Sequence, residues 1–203
     1  MNVFVLSTGR SGTMGFIRAC QHFTNYSANH ESLTSRYGYD RFSYPPNHIE
    51  ADNRLAWVLG RLDKHFGNEA FYVHLQRNPE KVALSYFNKR KRFRTMSRAY
   101  HEGILMRKDF INYESCLDMV ETIDSNIDLF LKDKEYKMKF PLEEAEQYFP
   151  EFASRINGKI ELSDAMAEFK LKHNATKGYS IIRRTYKELG MFIKYKILNY
   201  PQY

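Results

Sequence analysis

Residues 3–23 of this 203-residue chain read VFVLSTGRSGTMGFIRACQHF and decide its fold. The apolar run 3–6 ends at a polar, glycine-containing segment over 7–13, and helical spacing of apolar residues then resumes at Phe16. This pattern predicts a strand, a tight loop and a helix. The glycines let the backbone turn sharply, and the first turn of the helix leaves N–H groups unpaired. We therefore predict that the loop binds an anion such as phosphate or sulfate.

Five residues of the loop carry this predicted chemistry: Gly9, Arg10, Ser11, Gly12 and Thr13. Arg10 supplies a permanent positive charge, and the two hydroxyl groups supply further hydrogen-bond donors. An ordinary strand-to-helix turn is the alternative, and the density of polar and glycine residues disfavours it. The common phosphate loop G-x-x-x-x-G-K-[ST] is not matched, because Gly9 and Gly12 are only three positions apart and no lysine separates Gly12 from Thr13.

This loop resembles the 5′-phosphosulfate-binding loop of sulfotransferases, the enzymes that use 3′-phosphoadenosine 5′-phosphosulfate (PAPS) as sulfuryl donor. A second motif, FYVHLQRNPEKVALSY over 71–86, supports the resemblance. A strand predicted over 70–75 leads to Arg77, Pro79 is suited to a helix start, and Ser85 lies two turns into that helix. The Arg77 and Ser85 pair resembles the 3′-phosphate-binding motif of the same family.

The resemblance implies an α/β fold, a small parallel sheet flanked by helices in the P-loop-like sulfotransferase arrangement. The predicted order is strand, helix, helix, strand, helix, helix, strand. In this scheme Asn47 caps a helix with Glu50 in its first turn, and that helix ends at Gly67. A polar stretch over 29–33 and an irregular loop over 37–46 precede it. Later elements are predicted as a helix over 116–131, a strand over 134–142, and helices over 143–156 and 162–173.

Glu31 is the predicted catalytic base, because an acceptor hydroxyl must lose its proton as it attacks sulfur. Its spacing of 21 residues from Arg10 (31 − 10) resembles that between the loop arginine and the base of tyrosylprotein sulfotransferases. His30 is a neighbouring candidate, and His48 is a third. In the alternative reading, Glu31 pairs with an arginine such as Arg36 and merely orders the loop.

The net charge of +7 indicates an anionic partner. The densest basic run covers 89–94, but no nucleic-acid-binding motif is found, so nucleic acid is not expected. The chain is predicted to form one domain over 1–175 and a basic, aromatic extension over 176–203. For the extension, packing on the domain is preferred, with a partner or an anionic membrane surface as alternatives. We expect a cytoplasmic location, because no secretory signal and no membrane-spanning segment is predicted. Cys20 and Cys116 are too few for a disulfide framework, and no Cys/His cluster has zinc-ligand spacing, so we expect no metal.

The resemblance implies transfer of the sulfuryl group from PAPS to a hydroxyl or amine of an unidentified acceptor, with carbohydrate among the candidates. Met14 replaces a threonine common in the family, and the glycine-rich segment near the end of cytosolic small-molecule enzymes is missing. The first departure removes a hydroxyl that could contact the donor and predicts a lower donor affinity. The second favours the bacterial and carbohydrate-type branch. A P-loop kinase or other nucleotide-binding protein and a non-catalytic anion-binding protein are the competing predictions. The sequence leaves the acceptor and the oligomeric state open.

Overall fold

The computed structural model describes residues 1–92 and 95–171. Within them, one five-stranded sheet has the order β2-β3-β1-β4-β5, and each neighbouring pair is parallel. The strands are β1 (Asn2–Leu6), β2 (Ser27–His30), β3 (His48–Ala51), β4 (Ala70–Gln76) and β5 (Lys137–Pro141). The helices are α1 (Thr13–Cys20), α2 (Leu59–Phe66), α3 (Pro79–Phe87), α4 (Met96–Arg98), α5 (Tyr113–Leu131), α6 (Ala145–Arg155) and α7 (Leu162–Lys170). Short 3₁₀ turns cover Gly38–Phe42, Asn53–Trp57 and Leu142–Glu144, and a π-helical turn covers Ala99–Ile104.

β1 lies at the centre of the sheet because it is apolar on both faces. Its side chains from Val3 to Leu6 are completely buried, as expected for a parallel strand covered by helices on both sides. Val3 and Val5 face the layer formed by α1, α6 and α7, whereas Phe4 and Leu6 face the layer of α2, α3 and α5. The carboxyl ends of all these strands meet at one edge, where α/β proteins bind their ligands.

Aromatic side chains fill the first of these layers. Phe16 of α1 packs edge-on against Phe140 of β5 at 5.0 Å between ring centroids, and it also contacts Phe149 and Phe152 of α6. All four rings are fully buried. Phe16, in the first turn of α1, therefore fixes the start of the helix that follows the predicted anion loop.

The predicted α/β class and the elements next to the two motifs are confirmed. β1, α1, β4, α3, α5 and β5 lie at or within a few residues of their predicted positions. The helix predicted from Asn47 is wrong in its first half. His48–Ala51 forms the buried strand β3, and α2 begins only at Leu59. Asn47 itself adopts a left-handed conformation with φ of 52°, so the chain turns there and does not enter a helix.

The polar stretch predicted as irregular over 29–33 is also partly wrong. Asn29 and His30 belong to strand β2, which pairs with β3 at the edge of the sheet. The predicted element order therefore lacked both β2 and β3. The extension over 176–203 and the end of the last predicted helix lie outside the described residues. Within 1–92 and 95–171, no helix has the length and hydrophobicity needed to cross a bilayer.

Candidate functional site

The loop after β1 has a backbone that requires glycine at two positions. Gly9 and Gly12 have φ angles of 72° and 83°, in the left-handed region that residues with side chains rarely adopt. A Cβ atom on Gly9 would lie 2.4 Å from both Asn53 Nδ2 and Tyr86 Oη. A Cβ atom on Gly12 would lie 2.5 Å from Leu142 Cδ2. The loop is thus closely packed at both glycines, against Asn53, Tyr86 and Leu142.

Hydrogen bonds from the protein core fix the start of this loop. Gly9 N donates to Ser7 Oγ at 3.2 Å, and Tyr86 Oη donates to the carbonyl oxygen of Thr8 at 2.8 Å. Burial raises the pKa of Tyr86 to about 12, so the phenol remains a hydrogen-bond donor at physiological pH. The predicted anion loop is therefore preorganised before any ligand binds.

Unused hydrogen-bond donors cluster at the turn into α1. Gly12 is the N-cap residue of α1 and provides no side-chain cap, so the first-turn N–H groups depend on another acceptor. Ser11 Oγ is buried and has no hydrogen-bond partner in the described part of the chain. A buried hydroxyl without a partner is costly, and a bound anion would satisfy it. This is the local evidence for an anion site at the predicted loop.

The two predicted motifs contact each other directly. Arg10 Nε donates to Ser85 Oγ at 3.1 Å, and Arg77 Nη1 donates to the carbonyl oxygen of Arg10 at 2.9 Å. Burial lowers the pKa of the Arg10 guanidinium, and repulsion by Arg92 and Arg77 lowers it further. An arginine nevertheless keeps its charge at neutral pH. Arg10 is thus close enough to two other guanidinium groups to be repelled by both, and an anion bound beside it would be stabilised.

A cavity of about 240 Å³ opens above the loop, and we call it the main cavity because the predicted anion loop lines it. Its charged lining residues are four cationic side chains and one carboxylate, from Arg10, Arg54, Lys89, Arg92 and Glu31. Its other lining residues are Gly9, Gly12, Thr13, Met14, His30, Asn53, Tyr86, Thr95 and Met96. Arg77 lines a neighbouring cavity of about 270 Å³ near the ends of β4 and β5, together with Asn78 and Asp124. The structure thus places Arg77 next to the main cavity, and Arg10 lies between the two.

Two of the three candidate bases predicted from the sequence, Glu31 and His30, line the main cavity. Glu31 directly follows β2, adopts a left-handed φ of 52°, and pairs with Arg54 at 2.8 Å between Oε2 and Nη1. An arginine partner was the alternative reading for Glu31, and that partner is Arg54 rather than Arg36. His30 Nε2 lies 3.1 Å from Thr13 Oγ1, which brings it to the first turn of α1. The catalytic roles of Glu31 and His30 stay predictions.

His48, the third candidate, is held in the sheet. It is 1% exposed, and its ring nitrogens contact Ser27 Oγ at 2.7 Å and Glu50 Oε2 at 3.0 Å. The described residues that line the main cavity do not include His48. Eight of the lining residues are not among the site residues predicted from the sequence: Met14, Asn53, Arg54, Tyr86, Lys89, Arg92, Thr95 and Met96. Asn53 and Arg54 fall in a segment that the sequence pattern assigns to the interior of a helix. In residues 1–92 and 95–171 no three His, Cys, Asp or Glu side chains group together as a metal site.

Comparison with known proteins places this geometry in a recognised fold. No protein-family model and no curated protein sequence matches the chain. The structure matches a sulfotransferase domain from the curacin biosynthetic pathway with a TM-score of 0.60, over 99% of this chain and 92% of that domain, at 12% identity. A sulfotransferase from Alicyclobacillus acidocaldarius matches with a TM-score of 0.49 over 97% of this chain and 92% of that one, at 11% identity. The first match shows that the chain has the P-loop-like α/β fold of sulfotransferases.

Proposed function

We propose that this chain is a sulfotransferase that moves the sulfuryl group of PAPS to a hydroxyl or amine of an acceptor. One observation carries the proposal, the direct contact between the loop after β1 and the Arg77 and Ser85 pair. PAPS has anionic groups at both its 5′ and 3′ positions, and each has a matching group of donors. A site for an ordinary adenine nucleotide would not require the second one.

The residues present fit both ends of PAPS. The amides of α1's first turn, the Arg10 guanidinium and the unpartnered Ser11 hydroxyl are suited to the 5′-phosphosulfate. Arg77 and Ser85 are suited to the 3′-phosphate, because a guanidinium can make two parallel hydrogen bonds to phosphate oxygens. Arg10 already contacts both of these residues, so a single nucleotide can engage the whole group.

The proposed reaction is an in-line displacement at sulfur. The acceptor oxygen or nitrogen forms a bond to sulfur while the bond from sulfur to the 5′-phosphate oxygen breaks, and the acceptor proton passes to Glu31. Arg10 and the loop amides stabilise the charge that develops on the departing phosphate, and removing one such donor typically costs about 10²–10³ in rate. Proton removal by Glu31 contributes about 10²–10⁴. Arg54 Nη1 lies 2.8 Å from Glu31 Oε2, so the carboxylate has a cationic partner before the acceptor arrives.

A second candidate function is anion binding without catalysis. The ion pair between Glu31 and Arg54 supports it, because a carboxylate that only orders a loop would form the same contact. The two functions differ in what happens to the bound nucleotide. A non-catalytic protein would bind PAPS and return it unchanged, whereas a sulfotransferase would release 3′-phosphoadenosine 5′-phosphate (PAP).

The deciding experiment is a sulfation assay with sulfur-labelled PAPS over a panel of sugar, lipid, peptide and small-molecule acceptors. We expect label transfer by the wild-type chain and none by Arg10→Ala, which serves as the inactive control. Calorimetry with PAP and with ATP, both without magnesium, accompanies it, and we expect PAP to bind more tightly. Tighter binding of ATP would refute the PAPS assignment, and PAP binding without transfer to any acceptor would favour the non-catalytic function.

A further inference from the structure

Two buried carboxylates lie behind the pair formed by Glu31 and Arg54. Glu50 lies in β3 and Asp52 follows its last residue, and both are 0% exposed. β3 runs between the central strand and β2, so its carboxyl end adjoins the residues that line the main cavity. An ionised carboxylate is costly to bury unless it is paired and hydrogen-bonded. The partners of these two groups therefore indicate their role.

Glu50 holds the residue that follows Glu31. Its Oε1 accepts a hydrogen bond from Ser32 N at 2.7 Å, and its Oε2 accepts one from Ser32 Oγ at 2.6 Å. The same Oε2 lies 3.0 Å from His48 Nε2, and the other ring nitrogen of His48 contacts Ser27 Oγ at 2.7 Å. This chain of contacts runs from β2 through β3 to the backbone beside Glu31. It supports the left-handed conformation of Glu31, which a residue with a side chain adopts only at a cost.

Asp52 holds the backbone of Arg54, the residue that pairs with Glu31. Its Oδ1 accepts a hydrogen bond from Arg54 N at 2.8 Å. Its Oδ2 pairs with the buried guanidinium of Arg41, which also donates to Tyr44 Oη at 2.9 Å. The backbone of Arg54 is thus fixed by a carboxylate that is itself neutralised inside the protein.

We infer that Glu50 and Asp52 are positioning residues that set the orientation of Glu31 and Arg54. The inference rests on the proposed function, in which Glu31 removes the acceptor proton. The side chains of Glu31 and Arg54 are 30% and 39% exposed, and an ion pair at that exposure holds its own geometry poorly. The buried carboxylates instead fix the backbone at Ser32 and Arg54, and so limit the movement of the Glu31 and Arg54 side chains. A misplacement of about 1 Å in a catalytic group can lower the rate by about 10²-fold.

The test uses the full chain with Glu50→Ala, and with Glu50→Gln as the conservative variant. Hydrogen exchange at the Ser32 amide, followed by nuclear magnetic resonance, reports the contact without any need for activity. We expect exchange to become about 10- to 100-fold faster in Glu50→Ala and to recover in part in Glu50→Gln. Asp128→Asn is the matched control, since Asp128 also contacts a buried histidine but lies outside the main cavity. It should leave Ser32 exchange unchanged.

Turnover of PAPS then tests the link to catalysis. We expect Glu50→Ala to lower kcat by about 10²-fold with little change in the KM for PAPS, and to add no further loss in the Glu31→Gln background. Additive losses in that double variant, or full kcat in folded Glu50→Ala, would overturn the inference. Should Glu50→Ala not fold, Ser32→Ala removes one of the two contacts and should shift both measurements in the same direction. A wild-type chain without turnover would refute the proposed function, whereas unchanged Ser32 exchange in Glu50→Ala would refute the positioning role.

Discussion

Replacing Arg77 with alanine removes two separable contributions to nucleotide binding. The first is visible in the structure, where Nη1 donates to the carbonyl oxygen of Arg10 at 2.9 Å and steadies the anion loop. This contribution benefits every nucleotide that uses the loop. The second is the proposed contact with the 3′-phosphate, which benefits PAP but not adenosine 5′-phosphate (AMP). The two nucleotides therefore distinguish the two contributions.

The expected magnitudes differ enough to be measured. The hydrogen bond from Arg77 to the Arg10 carbonyl contributes about 0.5–1.5 kcal/mol, so its loss lowers the affinity for PAP and for AMP by about 10-fold at most. Hydrogen bonds to a charged group contribute about 1.5–3 kcal/mol. Loss of such bonds to the 3′-phosphate lowers the affinity for PAP by a further factor of about 10 to 150 and leaves the affinity for AMP unchanged. We thus expect the affinity ratio of PAP to AMP to fall by at least about 10-fold in Arg77→Ala.

Isothermal titration calorimetry of both nucleotides with wild type and Arg77→Ala measures this ratio. Arg61→Ala is the control, because Arg61 is a surface cation that donates to Gly38 O and lies over the ring of Phe42. It removes one positive charge at a distance from the cavity and should leave the ratio unchanged. Equal weakening of PAP and AMP in Arg77→Ala would refute the assignment of Arg77 to the 3′-phosphate.

Three further predictions concern the loop and its surroundings. Glu31→Gln should lower turnover by about 10²–10⁴-fold while the calorimetric affinity for PAP is unchanged; full turnover would transfer the base role to His30. Gly9→Ala should lower the free energy of unfolding by about 2–4 kcal/mol in urea titrations. Its Cβ atom would displace Asn53 and the Tyr86 hydroxyl, and the backbone at this position is left-handed. A loss below about 1 kcal/mol would contradict this prediction. Burial raises the pKa of Tyr86 to about 12, so the folded chain retains a proton that the unfolded chain releases near pH 10. Stability should therefore fall by up to about 3 kcal/mol as pH rises from about 10 to 12, and Tyr86→Phe should lack that part of the decline in urea titrations across this pH range.

The sequence was sufficient for the elements whose signals are local. The apolar run before Ser7 and the glycines after it predict β1, the loop and α1 without knowledge of any distant residue. Likewise Pro79 marks the start of α3, and Asn78 caps it by accepting a hydrogen bond from Lys81 N at 2.9 Å. Each of these signals is read within a few residues. For that reason the two motifs were predicted at their observed positions.

β3 could not be predicted because its polar residues are buried through tertiary contacts. β2 could not be predicted because it is short and mostly polar, with Ala28 as its single buried residue. His48 and Glu50 would mark an exposed segment in most sequences, yet both are fully covered in β3, where they satisfy each other. Their partners Ser27 and Ser32 lie 21 and 18 residues away along the chain. The partner of Glu31 was missed for the same reason, since Arg54 reaches it only once β3 is in place.

The anion loop is held by contacts between residues far apart in the sequence, and this affects how the chain folds. The contacts of Arg10 with Ser85 and Arg77 span 75 and 67 residues. Closing such long segments costs entropy before any contact compensates for it, which slows folding. A nascent chain on the ribosome therefore contains the loop before it contains α3, and it cannot stabilise the loop conformation until α3 has emerged. We expect a fragment that ends before α3 to lack a preorganised anion site, although it contains every residue of the loop.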